Sequence, residues 1–538
     1  MIRSRRNVAP ETSVRYFNTT GPCDQALHYM VPAERRLPEA RPLVERGLYF
    51  VVHAPRQTGK TTTLRALAAA LTAEGAFAAL HFSCETGQAA EGDYEAAEQT
   101  VLADIVRRSG DLPADCRPPS MWPDAPAGTR LAAGLAAWAG SSPRPLVLFF
   151  DEIDALRGAS LISILRQLRA GFPDRPRRFP SSVVLCGMRD VRDYKAASGG
   201  DPERLGTASP FNIKVASLRI GDFAPDEVRE LYAEHTAETG QAFDPSAVER
   251  AFELTRGQPW LVNALAREVI EKIGVPPAEP ITPDHVEEAK ERLILARQTH
   301  LDSLVARLME PRVRRFIGPM VAGDLVPPDP AYNDDLLYCR DLGLVTEKSP
   351  VAVANPIYRE VFVRVLAEPA ESQVLAEPRS FVLPDGRLDG GRMLREFIAF
   401  WREHGELLSG GMPYHEIGPQ LVLMAFLQRV ANGGGTVDRE YGVGRGRIDL
   451  LVRWPYRQPD GARAWQLEAW ELKVWAPRKP DPLPAGLAQI DEYLMRLSLD
   501  TGILAIFDRR SEAPPWEARG ERSSARTPSG REVTVVRL

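Results

Sequence analysis

The residues whose types and spacing are best suited to chemistry form two sets. The first is the run Ala-Pro-Arg-Gln-Thr-Gly-Lys-Thr at positions 54–61. A loop that joins a buried strand to a helix offers backbone N–H groups and the positive end of the helix dipole to an anion. Gly59 would let the backbone approach phosphates, Lys60 would reach the β- and γ-phosphates, and the Thr61 hydroxyl would hold Mg²⁺. Ala54 replaces the usual first glycine of this pattern. The run therefore predicts a site for ATP and Mg²⁺ that contains Gly59, Lys60, Thr61 and Thr62.

An acidic pair completes this first set. The apolar run at 146–150 predicts a strand, and Asp151 and Glu152 follow it directly. At the carboxyl end of a strand, Asp151 could hold the Mg²⁺ shell. Glu152 would polarise the attacking water. The alternative is a chance Gly-Lys-Thr with an unrelated acidic pair, but strand, loop, helix and acidic strand end occur in the expected order.

The second set lies in the last fifth of the chain and consists of Asp449, Glu471 and Lys473. Strand side chains alternate, so Glu471 and Lys473 share one face of a predicted strand at 465–475. Asp449 and Glu471 would bind Mg²⁺, or alternatively Mn²⁺, and Lys473 would position a water or help to deprotonate it. Gln489, on a predicted helix at 485–496, could orient the lysine or the substrate, and Glu416 could complete the metal shell. Alternatively, Glu471 and Lys473 form an ion pair on an edge strand.

Alternating strands and helices must position the first set. Apolar runs at 77–82, 146–150 and 182–186 predict strands, and helical patterns are found at 62–73, 93–108 and 129–139. This alternation predicts an α/β fold with a parallel sheet covered on both faces.

The rest of the chain divides by composition. Residues 224–309 are helical, with helix starts at Pro225 and Pro245. Short apolar strand patterns at 344–345 and 351–353 predict a winged helix. Residues rich in Pro, Glu, Ser and Gly predict a linker, and the tail at 533–538 predicts an edge strand. Six segments are predicted. They are an N-terminal segment at 1–45, an α/β domain with the first set at 46–222, a helical lid at 223–309, a winged-helix-like domain at 310–366, a linker at 367–390, and a domain with the second set at 391–538.

Composition limits the class of protein. The chain has 538 residues, 44% of them apolar and 26% charged, with a net charge of −5, which is ordinary for a multidomain globular protein. The charge gives no global sign of nucleic-acid binding, although a local basic surface is compatible with it. The five cysteines form no CxxC pair, which predicts a reduced, cytoplasmic protein without structural zinc. No apolar run predicts a membrane span or a secretory signal.

Two further features of the first set resemble a known family. Gly257-Gln-Pro259 resembles the GxP element of AAA-related and STAND-type ATPases, which implies that Pro259 lies near the nucleotide base. Arg189 is placed like a sensor residue of that family. The alternatives are a plain helix-start turn and a solvated arginine. The resemblance covers residues 15–365 and implies a P-loop ATPase core with a helical lid and a winged helix.

The second set resembles the PD-(D/E)xK nuclease superfamily over about residues 410–510. Asp449, Glu471 and Lys473 match its core, while Gln489 and Glu416 match accessory positions. Arg445 and Arg447 could contact phosphates or form a solvated loop.

Both resemblances together imply an ATPase whose nucleotide state gates a metal-dependent nuclease acting on DNA or RNA, DNA being favoured. A role in defence or genome maintenance rests on analogy. A homo-oligomer is compatible with the resemblance. The rival functions are a nucleotide-dependent switch or scaffold that cuts nothing, and a DNA loader or remodeller that uses the winged helix.

Overall fold

The computed structural model of the chain describes residues 14–188, 211–296, 299–322, 333–371, 381–411, 418–431, 435–443 and 446–538. The chain divides into two compact units. The N-terminal unit contains residues 1–302 and 332–357, and the C-terminal unit contains residues 303–331 and 358–538.

The N-terminal unit is built on a five-stranded parallel sheet. Its strands are β3 (Tyr49–His53), β4 (Ala78–Ser83), β5 (Leu146–Asp151), β6 (Ser182–Gly187) and β7 (Lys214–Arg219), in the order β4-β5-β6-β3-β7. A separate pair, β1 (Tyr16–Phe17) and β2 (His28–Tyr29), is also parallel. The strands predicted from apolar runs are confirmed to within one or two residues. Strand β7 was not predicted, because it lies at the sheet edge and its sequence has no clear apolar run.

Helices cover both faces of this sheet. They are α1 (Ala40–Glu45), α2 (Lys60–Ala73), α3 (Tyr94–Arg108), α4 (Arg130–Ser141) and α5 (Gly158–Gly171). Alternate residues of β5 enter different cores, with Val147 and Phe149 on the α1/α2 side and Leu148 and Phe150 on the side of α3, α4 and α5. All four are fully buried. This two-sided burial explains why the strands have continuous apolar runs, and it confirms the predicted α/β architecture.

The helical segment that follows has helices that begin at proline. They are α6 (Pro225–Thr239), α7 (Pro245–Thr255), α8 (Pro259–Arg267) and α9 (Pro283–Leu295). Proline suits the first helical position because its missing N–H would lack an intrahelical partner there. The predicted starts at Pro225 and Pro245 are therefore confirmed.

The predicted winged-helix segment does not form one compact body among the described residues. Its helices are α11 (Pro311–Ala322), α12 (Asp334–Asp341) and α13 (Pro356–Glu371), and α10 (Thr299–Leu308) precedes it. An antiparallel bridge joins Val345 to Val353, where the apolar strand pattern lies. However, residues 332–357 belong to the N-terminal unit and residues 303–331 to the C-terminal unit. The winged helix stays a prediction.

The C-terminal unit contains a six-stranded mixed sheet. Its strands are β8 (Thr436–Val443), β9 (Gly446–Arg457), β10 (Arg463–Trp475), β11 (Thr501–Asp508), β12 (Glu521–Arg526) and β13 (Glu532–Arg537). The order is β12-β13-β11-β10-β9-β8, and β10, β11 and β13 are mutually parallel while the outer pairings are antiparallel. The helices are α14 (Gly390–Gly411), α15 (Gly418–Ala431) and α16 (Leu483–Arg496). Helix α16 makes the crossover that the parallel pair β10 and β11 requires.

Two edge-strand interpretations for this unit are wrong. The tail at 533–538 is not an edge strand, because β13 lies between β11 and β12. Strand β10 is likewise interior, which contradicts the edge-strand interpretation of Glu471 and Lys473. The predicted linker at 367–390 stays a prediction, but two of its described residues are buried, since Phe381 and Leu388 are each only 2% exposed. Composition alone misses this because a few apolar residues in a polar segment are enough to anchor it.

Among the described residues, no helix combines the length and the apolar character that crossing a membrane requires.

Candidate functional site

The phosphate loop connects the end of β3 to the start of α2. Gly59 precedes the helix with a left-handed φ of +87°, a conformation that glycine adopts without steric cost. The Lys60 ammonium donates to the carbonyl oxygens of Ala54, at 2.8 Å, and Pro55, at 2.7 Å. The ammonium therefore lies over the loop itself, where it can exchange these carbonyl contacts for phosphate oxygens.

Two oxygen groups for a magnesium ion meet at the mouth of this loop. The Thr61 hydroxyl donates to Oδ2 of Asp151 at 2.7 Å, although the two residues are 90 positions apart. His81 Nε2 lies 3.0 Å from the same carboxylate oxygen. Burial raises the pKa of Asp151, but the hydrogen bonds with His81 and Thr61 outweigh burial and hold that pKa below its usual range. An ionised carboxylate beside a hydroxyl fits Mg²⁺, which takes few protein oxygens and keeps waters and substrate phosphates.

Glu152 is held at the same end of the sheet by a residue that the sequence did not indicate. The Ser83 hydroxyl donates to Glu152 Oε2 at 2.5 Å. Glu152 has a left-handed backbone with φ of +55°, which is unusual for a residue with a side chain. Burial raises the pKa of its carboxyl, and the Ser83 hydrogen bond opposes that rise. A serine at the end of β4 is too common a feature to be singled out without the strand order.

A cavity of about 120 Å³ extends from the phosphate loop. Its walls come from the loop, from the N-terminal segment and from α8. The residues that line it include Gly59, Thr62, Asn18, Tyr29, Pro259 and Asn263. Pro259, which is expected near the nucleotide base, and Tyr29 therefore border the same space as the phosphate loop.

The turn before α8 depends on glycine. Gly257 has φ of +80°, and a Cβ at this position would lie 1.9 Å from the carbonyl oxygen of Phe223. The turn then places Trp260, whose indole N–H donates to the carbonyl oxygen of Thr19 at 2.9 Å. The N-terminal segment is thus tied to the helix on the other side of the cavity.

Asn263 is a candidate binding residue that sequence reasoning missed. Its amide nitrogen donates to the carbonyl oxygen of Pro259 at 2.8 Å, which orients the amide group. Its side-chain oxygen is buried and has no hydrogen-bond partner among the described residues. Because a buried acceptor without a donor is costly, this oxygen is a place where a ligand donor would be favoured. The sequence indicates Asn263 only through its position, one helical turn after Pro259.

The second set of predicted residues comes together on β9, β10 and α16. Glu471 is fully buried, and the Lys473 ammonium donates to its Oε1 at 2.6 Å. The same ammonium donates to Gln489 Oε1 on α16 at 2.9 Å. Asp449 accepts a hydrogen bond from the backbone N–H of Leu472 at 2.8 Å. The antiparallel pairing of β9 with β10 brings Asp449 beside Glu471, one step beyond the pair Leu450 and Trp470.

The electrostatics of this second site favour an added cation. Burial raises the pKa of Glu471 to about 8, the Asp449 carboxylate adds to the rise, and Lys473 opposes it. Glu471 Oε2 is buried and lacks a hydrogen-bond partner in the described part of the chain. A divalent cation between Asp449 and Glu471 would satisfy this oxygen and favour the ionised form. Both carboxylates are oxygen ligands of the kind that Mg²⁺ accepts.

Some predicted site residues cannot be placed. Arg189, Glu416 and Arg445 lie outside the described residues. Arg447 lies in β9.

In the N-terminal unit, the parallel sheet and the glycine-capped loop thus bring Thr61 and Asp151 into contact beside the carboxyl ends of β3 and β5. Several solved structures resemble the chain. A Walker-type ATPase of Pyrococcus abyssi matches with a TM-score of 0.45 and 14% identity, over 64% of this chain and 99% of that chain. The RuvB Holliday junction branch migration motor of Thermotoga maritima matches with a TM-score of 0.33 and 17% identity, over 61% of this chain and 93% of that chain. Cdc6p of Pyrobaculum aerophilum matches with a TM-score of 0.34 and 15% identity, over 63% of this chain and 96% of that chain.

No protein-family model matches the sequence, and no curated protein is significantly similar to it.

Proposed function

We propose that the N-terminal unit binds and hydrolyses ATP with Mg²⁺. The observation that carries this proposal is the 2.7 Å hydrogen bond between Thr61 and Asp151, because both side chains have oxygens suited to Mg²⁺. Lys60 and the backbone of the loop would hold the β- and γ-phosphates. Bound Mg²⁺ would neutralise charge on the phosphates. Glu152 would orient the attacking water, with Ser83 fixing the position of its carboxylate.

The C-terminal unit is proposed to be a metal-dependent nuclease of the PD-(D/E)xK type. Support comes from the buried Glu471, from its Oε2, which has no hydrogen-bond partner among the described residues, and from the Lys473 ammonium that bridges Glu471 and Gln489. Asp449 and Glu471 would hold Mg²⁺ or Mn²⁺, which supplies stabilisation of charge on the phosphate and a more acidic bound water. Lys473 would position that water, and Gln489 would keep the ammonium pointed at it.

The two activities together suggest control of one by the other. ATP binding between the phosphate loop, the N-terminal segment and α8 would order these three elements, and the altered arrangement would gate the nuclease. The proposed substrate is nucleic acid, DNA before RNA, and the STAND-like relationship, a homo-oligomeric form and a winged helix belong to the same proposal. The rival is a nucleotide-dependent switch or scaffold whose C-terminal unit binds without cutting.

The test is a cleavage assay on single-stranded DNA, duplex DNA and RNA, with Mg²⁺ or Mn²⁺ and with or without ATP. Lys473→Ala should abolish cleavage, whereas the exposed Lys479→Ala, with the same charge change, should not. Lys60→Ala should abolish ATP hydrolysis and any ATP dependence of cleavage, and the exposed Lys272→Ala should preserve both.

Each half of the proposal has its own contrary result. Unchanged ATP affinity and hydrolysis in Lys60→Ala would refute the phosphate-site assignment. ATP hydrolysis without cleavage of any substrate would favour the switch or scaffold. Cleavage that persists in Lys473→Ala would place the chemistry elsewhere.

A further inference from the structure

Helix α14 packs closely against the segment that leads into β12. The ring of Trp401 on α14 lies 5.6 Å from that of Trp516. Gly520 has φ of +89°, and a Cβ there would lie 2.2 Å from Cγ2 of Ile398. The Arg402 guanidinium donates to the carbonyl oxygen of Arg519. The middle of α14 and the start of β12 therefore form one continuous surface.

Three arginines converge on this surface. Arg395 and Arg402 lie three residues before and four residues after Ile398, so all three share one helix face. Because Ile398 contacts Gly520, both arginines flank the entry to β12, where Arg522 follows two residues later. The side chains of all three arginines are exposed. Two elements distant in sequence thus contribute to one basic cluster.

The ion pairs of the described residues do not include this cluster. Within the described ranges, none of Arg395, Arg402 and Arg522 forms an ion pair with a carboxylate. Two neighbouring acids on α14 face other groups, since Glu396 lies 3.8 Å from Arg392 and Glu403 lies 3.7 Å from His404.

The charges of Arg395 and Arg402 act on Arg522. Burial, with the nearby charges of Arg395 and Arg402, lowers the pKa of the Arg522 guanidinium. Guanidinium groups gathered without an acid destabilise the folded chain unless an anion joins them.

We propose that Arg395, Arg402 and Arg522 form a binding surface for the phosphate backbone of nucleic acid. Guanidinium groups bind phosphate oxygens in a bidentate way, and a row of them fits a repeating polyanion better than a single small anion. Backbone contacts of this kind supply affinity without reading sequence. Nucleic acid as the partner rests on the proposed function, whereas cleavage is not required.

The surface lies on the face of the sheet opposite to Glu471. Ala525 packs with Ala469 in the core beneath α16, and Arg522, three positions before Ala525, points to the other face. Glu471 and Ala469 share the α16 face by the same alternation. The cluster therefore anchors nucleic acid and does not position the reacting phosphate, so its loss should weaken binding and leave the maximal turnover unchanged.

The experiment uses the full chain carrying Arg395→Gln, Arg402→Gln and Arg522→Gln together. Binding of fluorescent duplex DNA is measured by anisotropy in EDTA, so that no cleavage occurs, between about 50 and 200 mM salt. Three lost phosphate contacts should reduce the slope of log K against log salt by roughly 2.7, about 0.9 per contact. The matched control removes three exposed arginines that have acidic partners, Arg229, Arg387 and Arg496, and should keep the slope.

A triple variant with lysine at the three positions conserves the charge and so separates the effect of charge from an effect on folding. Its slope of log K against log salt should remain close to that of the wild type. Wild-type protein that binds DNA with the same slope as the glutamine triple would overturn the surface and leave the proposed nuclease intact. Absence of any salt-dependent binding by wild-type protein would also overturn it, and the cleavage assay would then judge the nuclease separately. Equal competition by polyglutamate and by DNA at matched charge would assign the surface to an acidic protein instead.

Discussion

The buried oxygen of Asn263 leads to a prediction about nucleotide selectivity. In the cavity beside the phosphate loop, Asn263 Oδ1 is an acceptor that lacks a donor among the described residues, while its amide nitrogen is already engaged by Pro259. The 6-amino group of adenine is a donor, whereas guanine has a carbonyl oxygen at the same place. We expect the site to prefer ATP to GTP for this reason, and we expect Asn263→Ala to remove the preference.

The magnitude follows from ordinary hydrogen-bond energies. A neutral hydrogen bond contributes about 0.5–1.5 kcal/mol, so Asn263→Ala should weaken ATP binding by roughly 2- to 12-fold. Opposing the Asn263 oxygen to the guanine carbonyl leaves two buried acceptors unpaired, which costs about 1–3 kcal/mol. The two terms add to about 1.5–4.5 kcal/mol, so the wild-type preference for ATP should be roughly 12- to 2,000-fold and should fall close to unity in the variant.

The assay is calorimetric titration of ATP and GTP into wild-type and variant protein. Asn18→Ala is the matched control, since Asn18 also lines the cavity. Its nitrogen donates to the carbonyl oxygen of Gly21 at 3.2 Å, and its oxygen accepts from the N–H of Thr20 at 2.9 Å. The Asn18→Ala substitution should weaken the binding of ATP and of GTP by the same factor. An ATP to GTP ratio that is the same in Asn263→Ala as in wild type would refute the reasoning.

Three further predictions concern the two units. Burial raises the pKa of Glu152, and Ser83→Ala removes a hydrogen bond that opposes this rise. The pKa should therefore rise further, and the acidic limb of the kcat/KM profile for ATP hydrolysis should move to higher pH. An acidic limb that does not move would mean that Glu152 is not the titrating group. Gly257→Ala combines left-handed strain with a Cβ 1.9 Å from a carbonyl oxygen, and it should destabilise the N-terminal unit by about 2–4 kcal/mol in denaturant unfolding. The control Gly274→Ala, with φ of +70° and open space around the Cβ, should cost only about 1–2 kcal/mol, and equal losses would refute the overlap argument. Burial raises the pKa of Glu468 to about 7, above its ordinary 4.5, so the folded state binds the extra proton and the free energy of unfolding should fall as pH rises from about 4.5 to 7, by about 3 kcal/mol. Glu468→Gln should remove most of this dependence, and a pH profile identical to wild type would contradict the assignment.

The sequence by itself determined the local parts of both sites. Strand and helix positions follow from periodicity over a few neighbouring residues, and the spacing of Gly59, Lys60 and Thr61 depends only on one strand-loop-helix turn. Glu471 and Lys473 share a face because alternation is a property of any strand. These features need no knowledge of distant residues, so they could be stated before the fold was known.

Position within a sheet was less accessible. Strands β7 and β13 have short runs of mixed composition, and their places depend on which neighbours pair with them. The predicted edge strand at the C-terminus is interior because β12 folds back onto it, an arrangement that no pattern within β13 itself encodes. Pairing depends on hydrogen bonds and packing across the sheet, and these involve residues far away in the chain.

Only the tertiary structure decided which distant side chains meet. Strand order brings Ser83 to Glu152, α8 brings Asn263 to the cavity, and the packing of α14 brings Arg395 and Arg402 to Arg522. Each of these residues has an ordinary neighbourhood in sequence. Their juxtaposition results from the sum of many weak long-range contacts, which is why the sequence alone indicated the chemistry of the two sites but not the groups that hold, select and anchor their ligands.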